Sequence, residues 1–310
     1  MKVNKKLILI VGFRKCGTTT LFDYLSQHEG ISAASPKEPQ LLCSGNRLDE
    51  EFLAGYLSCF DQNAEILLDG STLLISDPDA IQWAIRTFSE VKIVVCIRNP
   101  VNRFISSYWH SKGKENPQEY RGLDEVIEQL DSWGKDKFFK EKEWLNEQPF
   151  HRQFYSGDYL RSNKISLLDF NPKERFLPFR YFGEGVYSHW VEQLNIGQYH
   201  VVLLEELMQE KDSIERLSQY IEFPLNAENF SSFGASNKGA NRSTVAKLNF
   251  LRFGGVYRIF PASFRKWFKG RFHKSIPPAK KNHMKSLELW YEGERKYWKR
   301  AGHNIQKYWW

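Results

Sequence analysis

The sequence predicts an α/β fold, a central parallel sheet with helices on both faces. Three observations carry that prediction. Short apolar, β-branched runs recur at Leu7–Val11, Val91–Ile97 and His200–Leu204. Each is too short for a helix and lacks clean alternation, as expected of strands buried on both faces. Helical patterns lie between them, and strands alternating with helices build a parallel sheet.

The elements follow in order. Leu7–Val11 is the first strand, stopped by Gly12, and Thr20–Gln27 is the helix after it. Ile66–Leu68 is a weaker strand. Asp77–Phe88 reads as a helix, because Pro78 suits a first turn. Val91–Ile97 is the next strand, and Asn99-Pro100 ends it and opens a helix over Asn102–His110. Residues 112–185 break the rhythm. Lys112–Asn116 is charged, Gly122–Trp133 is an amphipathic helix, 134–147 is charge-dense, and 150–185 mixes aromatics with Gly and Pro. This stretch is expected to be a helical and loop insertion beside the sheet, either a substrate wall or a surface elaboration. Val186–Leu194 is a helix before the strand His200–Leu204, and Asp212–Ile221 follows it. With no repeat and no low-complexity linker, residues 1–310 are expected to form a single domain.

Two segments carry chemistry. The first is Gly12-Phe13-Arg14-Lys15-Cys16-Gly17-Thr18-Thr19-Thr20, between a strand and a helix. Backbone N–H groups at a helix start carry partial positive charge and suit an anion. Gly17 lets the backbone approach closely, Thr18, Thr19 and Thr20 add hydroxyl donors, and Arg14 and Lys15 add cations. A Walker A loop places its lysine after the glycine loop, just before Ser or Thr, whereas Lys15 precedes Gly17-Thr18. The second is Arg98-Asn99-Pro100-Val101-Asn102-Arg103-Phe104-Ile105-Ser106-Ser107-Tyr108. Arg98 falls at the carboxyl end of a strand, where open α/β sheets bind ligands. Arg103 and Ser106 are three apart, so they are expected to share a helix face that suits a second phosphate.

Together and in this order, the two segments resemble those of sulfotransferases that use 3′-phosphoadenosine 5′-phosphosulfate (PAPS). The resemblance implies a P-loop-like α/β core, sulfuryl transfer from PAPS and release of 3′,5′-ADP (PAP). It places Arg14, Lys15, Gly17 and Thr18 to Thr20 at the 5′-phosphosulfate, and Arg98 and Ser106 at the 3′-phosphate. Ser35-Pro36-Lys37-Glu38-Pro39-Gln40 is similar to the segment in which heparan-type enzymes carry a proposed base. By that likeness Glu38 is the catalytic base beside Lys15 of the first segment, and the acceptor is a hydroxyl, or an amine, of a carbohydrate or other hydroxyl-bearing metabolite. Lys238 and Arg242 fall where the family closes a loop over the nucleotide. Gly185-Val186-Tyr187 resembles the family's Gly-x-Tyr helix, and Leu287–Trp310 its terminal helix. Leu68-Asp69-Gly70-Ser71-Thr72 departs from the pattern, since relatives often carry a lysine or other polar residue near Gly70. No metal is implied.

The chain as a whole is compatible with this reading. It has 310 residues, 41% hydrophobic and 26% charged, with ten tryptophans and a net charge of +7. Residues 236–310 hold about 18 Lys/Arg against about 3 Asp/Glu, so the preceding part is net acidic. That basic region suits an anionic ligand, acidic glycan, nucleic acid or membrane surface, or is a solvated helical face; no nucleic-acid partner is expected. Cys16, Cys43, Cys59 and Cys96 show no metal spacing and are expected to be reduced. With no spanning-length apolar run and no signal-peptide pattern, a cytoplasmic protein is expected. Two alternatives stay open: a P-loop kinase using ATP, and a non-enzymatic binder of an acidic polymer. His110 is a rival to Glu38 as base.

Overall fold

The computed structural model describes residues 2–44, 50–112, 121–133, 181–194, 197–228, 230 and 280–310. Lys238, Arg242 and most of the expected insertion lie outside the described residues.

Five strands form one parallel sheet: β1 (Val3–Gly12), β2 (Ile31–Ala33), β3 (Ile66–Asp69), β4 (Phe88–Ile97) and β5 (His200–Leu203), in the order β2-β3-β1-β4-β5. The apolar runs are the buried halves of the strands. Leu7 to Val11 and Val94 to Ile97 are fully or almost fully shielded. Both long strands begin earlier than their apolar runs predict. Val3 pairs with Phe88 and Lys6 with Glu90. The Lys6 ammonium stands 3.0 Å from the Glu90 carboxylate, and Lys92 lies 2.9 Å from the same residue. Cross-strand charge pairs extend the ladder where no apolar pattern marks it. β2 was not expected. It is three residues long and lies at the sheet edge, too short to show a period.

The helices are α1 (Thr18–Leu25), α2 (Leu41–Ser44), α3 (Glu50–Leu57), α4 (Pro78–Thr87), α5 (Pro100–Lys112), α6 (Leu123–Trp133), α7 (Tyr187–Gln193), α8 (Leu204–Gln209), α9 (Lys211–Ile221) and α10 (Lys281–Arg300). α4 starts as Pro78 requires, and the Asp77 carboxylate accepts from the Ala80 N–H at 2.9 Å. α5 is capped likewise: the Asn99 side-chain oxygen accepts from the N–H groups of Val101 and Asn102. α10 is longer at its start than the terminal helix expected from Leu287 onward. Its inner face is His283, Leu287, Tyr291, Glu294 and Trp298, one residue per turn. It ends where Gly302 takes a left-handed backbone, φ 85°. No helix among the described residues is long and apolar enough to cross a membrane. The four cysteines are free thiols, as expected.

α10 fixes the segment that supports the site. The Tyr291 hydroxyl donates to the carbonyls of Tyr181 and Phe182, each at 3.1 Å. A Cβ on Gly185 would lie 2.7 Å from that hydroxyl, so only glycine permits the approach. The buried Glu294 carboxylate accepts from the Ser188 N–H at 3.0 Å, the Ser188 hydroxyl and the Trp298 indole N–H. Burial raises its pKa, and these donors oppose the rise.

Candidate functional site

All five strands run parallel, so their carboxyl ends meet at one edge. The loop after β1, the segment after β2, the turn after β3, Arg98 after β4 and Glu205 after β5 converge there. Order reverses about β1, which has β3 on one side and β4 on the other. Such a switch point is where α/β sheets bind ligands.

The loop from Gly12 to Gly17 is built for close approach. Gly12 has φ 135°, and a Cβ there would lie 2.7 Å from the Cys96 carbonyl oxygen. Gly17 has φ 86°, and its Cβ would strike the Leu204 side chain at 2.4 Å. Lys15 is also left-handed, φ 69°, an uncommon state for a residue with a side chain. α1 begins at Thr18, two residues earlier than predicted, so all three threonines form its first turn. Gly17 at its N-cap supplies no side-chain cap, and the first-turn N–H groups of a helix have no partner within the helix itself. Thr18 and Thr20 are buried and Thr19 is half-buried.

Charge accumulates around the loop. Burial lowers the Lys15 pKa, and the nearby positive charges of Arg98 and Arg14 lower it further. Among the described residues no carboxylate stands within ion-pair distance of Lys15. The Arg98 guanidinium donates to the Lys15 carbonyl at 3.1 Å, tying the second signature to the first. Its Nε is buried without a hydrogen-bond partner and lies 3.8 Å from the Glu205 carboxylate. Cations held close together, with no counterion beside Lys15 among the described residues, fit a multiply charged anion. Sequence reasoning placed Arg14, Lys15, Gly17 and the threonines on one loop, and Arg98 beside it. Ser106 sits half-buried in α5.

Arg103 is the correction. Expected to share with Ser106 a helix face open to a second phosphate, it is wholly buried. Its guanidinium lies 2.8 Å from the Glu184 carboxylate and donates to the Tyr181 carbonyl. The same Glu184 accepts from Arg14 Nε at 2.8 Å and lies 2.7 Å from Arg14 Nη2. One buried carboxylate therefore joins the loop to α5. Nothing in the local sequence marked Glu184, since its two partners are 170 and 81 residues away.

Tyr187 is the second brace. Its hydroxyl donates to the Arg98 carbonyl at 2.8 Å and lies 3.6 Å from the Cys16 sulfur, while its ring packs 4.7 Å from Phe13. Burial pushes the Cys16 thiol up to about 12, so the loop cysteine is a packed, protonated thiol.

Glu38 lies at the β2 and β3 end of the same edge. The Lys37 ammonium donates to one carboxylate oxygen at 2.8 Å and the Thr72 hydroxyl to the other at 3.2 Å. Thr72 and Arg14 line one small cleft with Phe13, Leu73, Glu184 and Trp190. Glu38 thus reaches the loop's neighbourhood through Thr72. The space above Gly70 is filled by Lys37, whose Cε would lie 3.1 Å from a Cβ there, and by Phe22 at 2.8 Å. His110 is exposed in the last turn of α5.

Residues 5–235 match the family model described as a sulfotransferase domain. The chain is 26% identical over 130 residues to the membrane-associated sulfotransferase kil1 of Dictyostelium discoideum. It is 29% identical over 115 residues to the bifunctional heparan sulfate N-deacetylase/N-sulfotransferase 1 of Caenorhabditis elegans. These matches cover 40% and 36% of this chain, but only 28% and 13% of those two proteins. Among solved structures, a sulfotransferase from Alicyclobacillus acidocaldarius aligns at 20% identity and TM-score 0.45, covering 72% of this chain and 83% of that one. The sulfotransferase domain of the Synechococcus PCC 7002 olefin synthase aligns at 12% identity and TM-score 0.41, covering 95% and 96%. Because the family model spans most of the chain, including the segments around Lys15 and Arg98, the chain belongs to the sulfotransferase domain family.

Proposed function

We propose that this protein transfers a sulfuryl group from PAPS to an acceptor hydroxyl, with a carbohydrate the favoured acceptor class. The observation that carries the reading is the tie between Arg98 and the Lys15 carbonyl, which links two cationic segments at adjacent strand ends. The donor supplies a sulfuryl group already attached to a good leaving phosphate. Transfer then needs positioning and charge stabilisation more than covalent help. The first-turn N–H groups of α1, with Gly17, Thr18, Thr19 and Thr20, hold the 5′-phosphosulfate. Lys15 neutralises charge growing on the leaving oxygen, and Arg14 adds positive potential at the cleft. Arg98 and Ser106 hold the 3′-phosphate, and Lys238 and Arg242 are proposed to close over the nucleotide. Glu38 takes the acceptor proton as the new oxygen–sulfur bond forms and the sulfur–phosphate oxygen bond breaks. Support for a carbohydrate comes from Glu38 and from the heparan-modifying relative.

Calorimetric titration tests the donor site. PAP is expected to bind tightly without Mg²⁺, and ATP with Mg²⁺ weakly. A preference for ATP would replace this reading with the kinase. Glu38→Gln tests the base. Turnover is expected to fall by about 10²–10⁴-fold, the usual contribution of a positioned base, while PAP affinity holds. Unchanged turnover in a ³⁵S-transfer assay removes Glu38 from the mechanism.

A further inference from the structure

Glu205 is a carboxylate beside Arg98, and the proposed transfer gives it no role. It sits at the start of α8, just past the end of β5, with a side chain 16% exposed. Both of its oxygens receive the Asn99 N–H, at 3.0 and 3.2 Å. Its nearer oxygen is 3.8 Å from Arg98 Nε, too far for a hydrogen bond, and that Nε has no hydrogen-bond partner among the described residues. The Arg98 guanidinium is held instead by the Lys15 carbonyl. The carboxylate therefore does not aim Arg98. It acts on it through space, as a negative charge beside a half-buried guanidinium.

We infer that Glu205 sets the affinity of the 3′-phosphate pocket, partly cancelling the positive potential of Arg98 so that a doubly phosphorylated nucleotide binds and still leaves. The inference rests on the assignment of Arg98 to the 3′-phosphate. Two features of the geometry support it. A carboxylate that served only to hold the turn after β4 could be replaced by any neutral acceptor, because the hydrogen bonds it accepts there come from backbone N–H groups, those of Asn99 and of Glu205 itself. A carboxylate placed to lock Arg98 would form the bidentate pair that guanidinium and carboxylate readily adopt, and this one does not. What remains specific to Glu205 is its charge. Its pKa is raised by burial, while its own backbone N–H, the Asn99 N–H and Arg98 oppose the rise, so the group sits in a poorly hydrated place where its field carries.

The test compares PAP with 5′-AMP, which lacks the 3′-phosphate, on the native chain and on Glu205→Gln. The glutamine oxygen still accepts from Asn99, so only the charge is removed. The variant is expected to bind PAP roughly tenfold more tightly, the scale of one nearby charge in a partly screened site, with 5′-AMP affinity unchanged. Glu205→Ser, a second neutral variant, is expected to move in the same direction, and melting curves check that both are folded. Weaker PAP binding, or equal changes for both nucleotides, would overturn the inference and leave Glu205 an orienting or structural residue. If the native chain itself fails to distinguish PAP from 5′-AMP, the 3′-phosphate assignment falls first, and the inference with it.

Discussion

Lys15→Ala is expected to cut turnover by about 10²–10³-fold, the cost of removing one preorganised charge-stabilising donor, and to leave the fold intact. The expectation of intact folding is as informative as the loss. In most buried ion pairs, deleting one partner strands the other. Lys15 has no carboxylate partner among the described residues, so its removal strands no described carboxylate. Its neighbours are the guanidiniums of Arg14 and Arg98, and they, with burial, lower its pKa. A lysine whose folded pKa is lowered costs stability while charged, and the cost disappears as pH rises past the unfolded value. Alanine abolishes that cost at neutral pH. The variant should therefore melt at the same temperature or slightly higher, while losing ³⁵S transfer.

A bound anion reverses the same electrostatics. It turns three mutually repelling cations into three attractive contacts, so PAP should raise the melting temperature of the native chain more than that of Lys15→Ala. Lys15→Arg should not restore turnover, since a planar fork cannot replace a compact ammonium on one bridging oxygen. Turnover within threefold of native in Lys15→Ala would show that the loop holds the anion through backbone and threonines alone. Loss of activity together with a lower melting temperature would mean that the lysine has a structural partner.

The parts of this site written in consecutive residues were legible in the sequence. The strand, glycine and threonine run around Lys15 and the Asn99-Pro100 break after Arg98 declare themselves locally, because both are made by short-range backbone geometry. The buried halves of β1 and β4 were equally plain, since their apolar runs are continuous. Their outer halves were not, because Lys6 on β1 meets Glu90 on β4 across the sheet, a pairing that no apolar run marks. Arg103 was misplaced for a related reason. Helical spacing shows that it lies near the face of Ser106, yet whether an arginine meets ligand or protein depends on what lies opposite. Here that is Glu184, from a distant segment. A carboxylate amid Phe182, Gly183 and Gly185 has no pattern to distinguish it, and its importance exists only once α10 has pressed that segment against α5. Glu38 shows the converse. Its local partner Lys37 was visible in sequence, while its link to the cleft through Thr72 depended on the pairing of β2 with β3.

Glu184→Ala should destabilise the protein by about 3–5 kcal/mol, the usual consequence of stranding a buried charge, from a total of roughly 5–15 kcal/mol. Arg103 has no exposed side-chain surface, so without Glu184 its guanidinium would retain chiefly the Tyr181 carbonyl. Arg14 is a different case although it shares the same carboxylate. Its side chain is 23% exposed, and water can replace the lost contact. Arg14→Ala should accordingly cost about 1 kcal/mol or less, and a folded Arg14→Ala allows the loop's contribution to catalysis to be measured separately. The order Glu184→Ala well above Arg14→Ala, read from urea denaturation midpoints at constant slope, tests which half of the network carries the fold. A double variant separates charge from packing. Replacing Arg103 with Met and Glu184 with Leu together removes both buried charges while filling similar space, and apolar replacement of a whole buried pair is often neutral or stabilising. The double variant should then recover most of what Glu184→Ala loses, even though it changes two buried residues instead of one. If it is less stable than Glu184→Ala, the segment around Glu184 is held by the ion pair itself, and the contacts of Tyr291 and Glu294 from α10 are not sufficient to keep it in place.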